Sequence, residues 1–397
     1  MEGEVVLKNG TEEMMPLYVG FAFDAFTWSL IWAFMPIHVF TKGASLILIG
    51  VVCSIPSLVS MVTSPFWGHL SDKIGRRKPF IILGLFTSGL LSLLYAILQN
   101  PFHFLIATVL ITIFNTASIP TGYAFLSERV EVKGEGVGKY EAYMSIGWFA
   151  GSLVGGFGAE TIGLSFVFFV GFILSLMGTF TILMYLKETT IEHSYEVERI
   201  EKVTFWQILV RTQILVLVLI VFFISFGNSV FSTYFSIYFI EDVKGSYILL
   251  GVSNAVATLT GIAASLLLGK IADRLGRKLV ILYSAFGYSI FFLILSQIQN
   301  PYVVAVLWTV PLYAGVYVGS VVITSDLTSE KERGRGMSII NSSMNLGRSF
   351  GAVLGGATGE ILGLIKNLYI ASLLNLIGGI ISLLKLKETL KQQKLEP

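Results

Sequence analysis

The sequence predicts an all-α membrane protein: twelve transmembrane helices in two six-helix bundles related by a parallel internal repeat. Three observations carry that expectation. Hydrophobic residues make up 54% of the 397-residue chain and charged residues only 13%, with a mean hydropathy of +0.78. A water-soluble domain carries about 25% charged residues, so this chain has too little polar surface to face water. Apolar runs of the roughly 20 residues that cross a bilayer recur along its length. Finally, the second half restates the first at a near-constant offset.

In chain order the runs fall near 17–40, 45–70, 79–99, 102–126, 138–160, 164–186, 206–240, 246–270, 279–298, 301–325, 337–359 and 365–385. The stretch ahead of them, MEGEVVLKNGTEEMM, is polar and acidic with no apolar core, so no cleavable signal is expected. The seventh run is long for one span, and part of it is expected in a loop or at the interface. Pro36, Pro56, Pro65, Pro120 and Pro311 lie in or near spans, where neighbouring helices can re-satisfy the backbone groups a kink frees.

The repeat is legible residue by residue. Gln99, Asn100 and Pro101 recur as Gln299, Asn300 and Pro301; the stretch 151–164, GSLVGGFGAETIGL, recurs at 351–364 as GAVLGGATGEILGL. Leu186-Lys-Glu-Thr189 recurs as Leu386-Lys-Glu-Thr389, again at an offset of 200. These matches predict a six-helix bundle at 1–186, a charged cytoplasmic linker at 187–205 and a second bundle with a short tail at 206–397. Such a parallel repeat is the arrangement expected of a transporter that rocks two bundles about a central site. Orientation follows from the cations: of 27 Lys and Arg, 23 fall on one side, three (Lys42, Lys244, Lys366) on the other and Arg348 within a span. Both termini are therefore expected in the cytoplasm.

Two basic turns hold the same position in each half. Gly68, Asp72, Gly75, Arg76 and Arg77 follow the second span; Gly269, Asp273, Gly276 and Arg277 follow the eighth, at an offset of 201. Gly68 and Gly269 would allow a close helix approach. Asp72 and Asp273 would cap a helix or pair with an arginine. Gly75 and Gly276 would permit a tight reversal. In these residues the sequence resembles the major facilitator superfamily, which carries G-x-L-x-D-[RK]-x-G-R-[RK] between its second and third helices and a degenerate copy between the eighth and ninth. The resemblance covers nearly the whole chain. It implies the twelve-helix fold, alternating access with these loops latching the cytoplasmic side, and a monomer.

Matching glycine ladders occupy the fifth and eleventh runs: Gly147, Gly151, Gly155, Gly156 and Gly347, Gly351, Gly355, Gly356. Four-residue spacing puts them on one helix face, for tight packing or for a surface on which the halves slide. The first ladder resembles the G-x3-G-P-x2-G-G signature of the family's drug–proton antiporters, with Ser152 in the proline position.

Ionisable groups inside spans are costly and point to function. Asp24 lies about a third of the way across the bilayer at 1.5 Å per residue. Trp28 and Trp32 follow at i+4 and i+8. Asp24 is read either as a proton or substrate group or as a structural acid; a first-helix acid also occurs in proton-coupled family members. Arg348 falls near mid-depth, where its repeat partner is Trp148. It would either recognise an anionic or polar group through its planar fork or lock a gate through an ion pair, with Asp24 or Glu141 as partner. Glu141, near the cytoplasmic end of its span, reads as interfacial, and Glu160 and Glu360 as wet structural acids near the outer ends. Among the in-span asparagines, whose default is helix–helix bonding, Asn228 and Asn254 are singled out because the seventh and eighth helices line the family's cavity. Asn341 and Asn345 keep the default.

Other chemistries lack residues. The single cysteine, Cys53, excludes an intramolecular disulfide, and none of the four histidines stands at metal-ligand spacing. No P-loop offers direct ATP drive, and a net charge of +2 gives no reason to expect a nucleic-acid partner. The expectation is a secondary active transporter without cofactor, not an enzyme, its partners a small-molecule substrate, a coupling proton and the bilayer. Proton-coupled efflux of an amphipathic, drug-like compound is the leading reading. The alternatives are movement of a sugar or organic anion anchored on Arg348, or a sensor that binds without transporting.

Overall fold

A computed structural model describes residues 2–130, 133–188, 205–330 and 332–390, the side chains of 2–12, 133 and 205 excepted. The linker expected at 187–205 falls almost wholly outside the described residues. Helices and their connections account for the described chain, with no strand among those residues. In order the long helices are α1 (Glu13–Thr41), α2 (Leu46–Ile74), α3 (Lys78–Ile97), α4 (Pro101–Arg129), α5 (Lys133–Thr161) and α6 (Leu164–Tyr185). The second set is α7 (Thr212–Asp242), α8 (Tyr247–Leu275), α9 (Arg277–Leu295), α10 (Pro301–Leu327), α11 (Arg333–Leu362) and α12 (Leu364–Lys385). Ten are long and apolar enough to cross a membrane. The other two, α5 and α11, are 29 and 30 residues long, and their ladder glycines and polar residues dilute their hydropathy.

Breaks in the helices have local causes. The fourth span turns at Thr116 and Ala117, four residues before the ring of Pro120, which cannot accommodate the carbonyl at i−4. The tenth breaks between Trp308 and Leu312, around Pro311. The long seventh run resolves into a short helix, Phe205–Leu209, and α7 proper, which bends at Thr233 and Tyr234 and ends in a π-helical turn, Tyr238–Asp242. No proline explains the bend; the Tyr234 hydroxyl is instead held by the carbonyls of Leu46 (3.2 Å) and Ala352.

The chain forms two compact units. The first contains residues 1–44, 58–196 and 245–258; the second contains 45–57, 197–244 and 259–397. In the first, α1 packs on α5 and α6, and α3 on α6. In the second the repeat-related pairs are α7 on α11 and α12, and α9 on α12. Each has its own apolar core, built on Leu17, Phe21, Ile81 and Phe125 in one and on Ile220, Ile224, Ile281 and Ile323 in the other.

The N-terminal part of α8 belongs to the first unit and that of α2 to the second, and matching carboxylates receive them. Glu160, at the end of α5, accepts the backbone N–H of Tyr247 (2.7 Å). Glu360, at the end of α11, accepts that of Leu46 (2.7 Å). A carboxylate on otherwise unpaired N–H groups at a helix start is a favourable cap. Glu160 and Glu360 are thus structural acids, committed to particular helix starts.

The ladders are seats for α1 and α7. A Cβ at Gly151 would lie 2.6 Å from the Phe26 carbonyl, and one at Gly347 would lie 2.6 Å from that of Phe222. Gly147 and Gly155 likewise meet α1, and Gly351 and Gly355 meet α7. Only the fourth glycine of each ladder meets a helix recruited from the other repeat: Gly156 faces Tyr247 and Gly251, and Gly356 faces Leu46. Three glycines in four therefore pack each bundle internally and do not present a sliding face.

Candidate functional site

The first candidate lies inside the first unit. Asp24 is buried on α1, and its carboxylate accepts a hydrogen bond from the Ser88 hydroxyl of α3. The same hydroxyl has a second acceptor, the Leu85 carbonyl at 2.7 Å. Ser175 of α6 lies 3.2 Å from Ser88 and donates to that carbonyl at 2.6 Å. Ser88 has one proton to give. With Asp24 ionised, Ser88 can donate to the carboxylate; with Asp24 protonated, the acid can donate to Ser88 and Ser88 to the carbonyl. The group can thus exchange a proton while every polar atom keeps a partner. No cation is paired with Asp24 among the described residues. Along the same helix Trp28 is half-buried and Trp32 exposed, so the stripe passes from bundle interior to open surface.

Nearer the N-terminal end of α5, Glu141 accepts from the Tyr123 hydroxyl. The rings of Tyr123 and Tyr140 lie 5.0 Å apart. The Tyr140 hydroxyl, within electrostatic reach of Asp24 and Glu141, is buried without a hydrogen-bond partner among the described residues.

The second unit holds Arg348 and Asn228, while Asn254 falls in the first. Arg348 is exposed midway along α11, and its guanidinium makes no ion pair among the described residues. Asn228 of α7 adjoins Ser229, whose hydroxyl donates to the Arg348 carbonyl (2.7 Å), and its own Oδ1 is buried without a partner among the described residues. Asn254 of α8 is engaged by a partner. His38 is buried near the C-terminal end of α1 against Phe104 and Phe168, its Nε2 2.9 Å from the Tyr95 carbonyl. A cavity of about 250 Å³ near Leu30, Phe157 and Phe166 is lined almost wholly by apolar groups.

The two basic turns are organised around one arginine each. Arg77 is buried; its Nη1 lies 2.5 Å from Asp72 and 2.6 Å from the Ser71 hydroxyl, and its Nη2 lies 2.7 Å from Glu128 of α4. Arg277 repeats this with Asp273 (3.6 Å) and Asp326 of α10 (3.0 Å). Arg76 is exposed. Gly75 and Gly276 take φ of +70° and +119°, the left-handed reversal expected of glycine. The close approach expected at Gly68 and Gly269 does not occur: a Cβ at Gly269 would meet nothing within 4 Å, and one at Gly68 only Pro120 at 4.0 Å. Sequence reasoning missed the acids that tie these loops down. Glu188 accepts the Arg77 N–H (3.1 Å), and Glu388 accepts those of Arg277 (2.9 Å) and Lys278 (3.1 Å). Their signal was present, since both are the Glu of the repeated Leu-Lys-Glu-Thr.

The profile of the Major Facilitator Superfamily matches residues 17–323 and 217–396. This chain belongs to that family. It is a multi-pass membrane transporter, as the family's members are. Its relatives include the "Multidrug resistance protein MdtG" of Proteus mirabilis (strain HI4320), 28% identical over 285 residues that cover 69% of this chain and 70% of that protein. The protein of the same name from Escherichia fergusonii is 28% identical over 313 residues, 75% of each chain. Among solved structures, the nucleoside transporter NupG superimposes with a TM-score of 0.78 at 12% identity, covering 94% of this chain and 99% of that one. A bacterial homolog of the human lysosomal transporter Spinster, in an inward-facing and occupied conformation, gives 0.77 at 12% identity over 94% and 96%. At such identity the likeness speaks to the fold alone.

Proposed function

We propose that this transporter is a proton-coupled exporter of an amphipathic small molecule, working by alternating access in a cytoplasmic membrane with both termini inside, as a monomer. The observation that carries the reading is Asp24 with its Ser88 relay. A bare carboxylate is costly in an apolar interior, and a serine with a second acceptor in reach lets the acid lose and regain its proton without stranding a polar atom. Trp28 and Trp32, one and two turns along, place an aromatic surface beside the acid for an apolar substrate. The MdtG names support export of drug-like compounds, and the distribution of Lys and Arg supports the orientation.

The test is proton movement in proteoliposomes carrying an internal pH dye, challenged with ethidium, 1-naphthylacetate and uridine in turn. At least one amphipathic compound should drive a proton flux, and Asp24→Asn should lower it at least tenfold while the protein still folds and inserts. Flux driven by uridine alone would point to a polar-metabolite carrier. Flux that survives Asp24→Asn would remove Asp24 from the coupling step.

A further inference from the structure

On α11, Asn341, Asn345 and Arg348 follow at i, i+4 and i+7, which at about 100° per residue puts them within about 60° of one another on the helix. The neighbours on each flank fix where that stripe faces. On one side Gly347 and Gly351 press on α7. On the other, Ser349 donates to the Ser54 carbonyl of α2 (3.3 Å), and Gly356 meets Leu46. The stripe lies between these contacts, and all of these residues belong to the second unit.

None of the three side chains is committed. Asn341 and Arg348 are exposed and Asn345 is half-buried, and no hydrogen bond or ion pair engages any of them among the described residues. Asparagines elsewhere in the spans do what buried amides do: Asn115 donates to the Gly84 carbonyl (3.0 Å), Asn367 to Gly355 (2.8 Å) and Asn375 to Ala371 (2.8 Å). The default of helix–helix bonding therefore fails at Asn341 and Asn345, beside an uncompensated guanidinium.

Depth decides what the stripe is open to. Arg348 lies 15 residues into the 30-residue α11, near the middle of the bilayer. A guanidinium facing lipid at that depth is strongly disfavoured, so the open side is a place that admits water or ligand. Tyr288 of α9 stands within electrostatic reach of it.

We infer that Asn341, Asn345 and Arg348 form the polar end of the substrate site, and that the exported amphipath carries a carboxylate or phosphate-like anion. The planar fork of Arg348 matches two oxygens of such a group, and the asparagine amides supply further donors along its path. This rests on the export reading above and narrows the substrate class.

The test uses the full chain in phosphatidylcholine nanodiscs and titrates two near-isosteric probes, 1-naphthylacetate and uncharged 1-naphthylacetamide. The wild type should bind the acetate at least tenfold more tightly. Arg348→Gln should erase that preference, and Arg348→Lys should keep part of it, since the charge remains and the fork is lost. Equal affinity for both probes in the wild type, or an undiminished preference in Arg348→Gln, would overturn the inference. So would loss of acetate binding in phosphatidylglycerol nanodiscs, which would assign the site to lipid headgroups. This titration measures binding with no proton gradient and the proteoliposome assay measures proton flux, so failure of proton coupling and failure of this site are read separately.

Discussion

Arg211, just ahead of α7, forms two hydrogen bonds with Glu332, at 2.6 and 3.0 Å, and the Ser329 N–H adds a third at 3.1 Å. Glu332 immediately precedes α11, so this carboxylate fastens the start of α11 to the entry of α7. Hydrogen bonds from Arg211, then those from Ser329, hold its carboxyl well below the usual carboxylate range, at about 2. The sign follows. A carboxyl depressed in the folded state stabilises it above the unfolded value, and that contribution is lost as pH falls toward the folded one. The window therefore opens near the ordinary glutamate value, about 4.3, and closes near 2. Hydrogen exchange at residues 327–336 should accelerate across it in the wild type and show no such step in Glu332→Gln; a step kept by the variant would assign the titration to another acid. Glu388 is set up similarly: burial works to raise its pKa, but N–H groups of Leu390, Arg277, Lys278 and Thr389 together pull it down.

Among elements, the α7–α11 contact depends most on small residues. A Cβ at Gly351 would fall on the Phe226 carbonyl and 2.7 Å from the Ser229 Cβ, so Gly351→Ala must push two helix backbones apart. Overpacking of this kind costs about 1–3 kcal/mol. Gly269→Ala adds a methyl where nothing lies within 4 Å, and alanine is the better helix former by about 0.8–1.0 kcal/mol. Thermal unfolding in detergent should show a lowered Tm for Gly351→Ala and an unchanged or raised one for Gly269→Ala. A wild-type Tm for Gly351→Ala would show that α7 and α11 are not in close contact. Both sets of glycines stand in repeated motifs, and spacing alone does not distinguish them. The ladders were legible as a packing face because four-residue spacing has one structural meaning. Their partners, α1 and α7, were not, because the carbonyls they meet lie more than 100 residues away in sequence. Helix breaks at Pro120 and Pro311 could be read from proline chemistry. The bend at Thr233 could not, since it depends on where the Tyr234 hydroxyl reaches.

For the whole molecule, the repeat explains why the architecture was legible at all. Offsets of 200 and 201 carry the glycine ladders, the basic turns and the capping glutamates into equivalent places. The functional candidates are the positions where the two halves differ. Asp24 has Ile224 at its repeat-related position, Arg348 has Trp148, and Asn228 has Trp28. Hydropathy flagged Asp24 and Arg348 because charge is conspicuous in an apolar run. It could not show that Asp24 has a serine relay while Arg348 has no partner among the described residues, because Ser88 resembles any other small residue in α3. An acid able to hold a proton in the first unit, and in the second an arginine midway along a span with no ion pair among the described residues, make a coupled exporter of anionic amphipaths the reading that uses both. The most direct measurement of that coupling is proton release on substrate binding, in weakly buffered detergent solution with a pH dye and 1-naphthylacetate as probe. Binding should release a proton from the wild type, and Asp24→Asn should bind without release. Release undiminished in Asp24→Asn, or binding to the wild type with no release at any pH between 6 and 8, would contradict it.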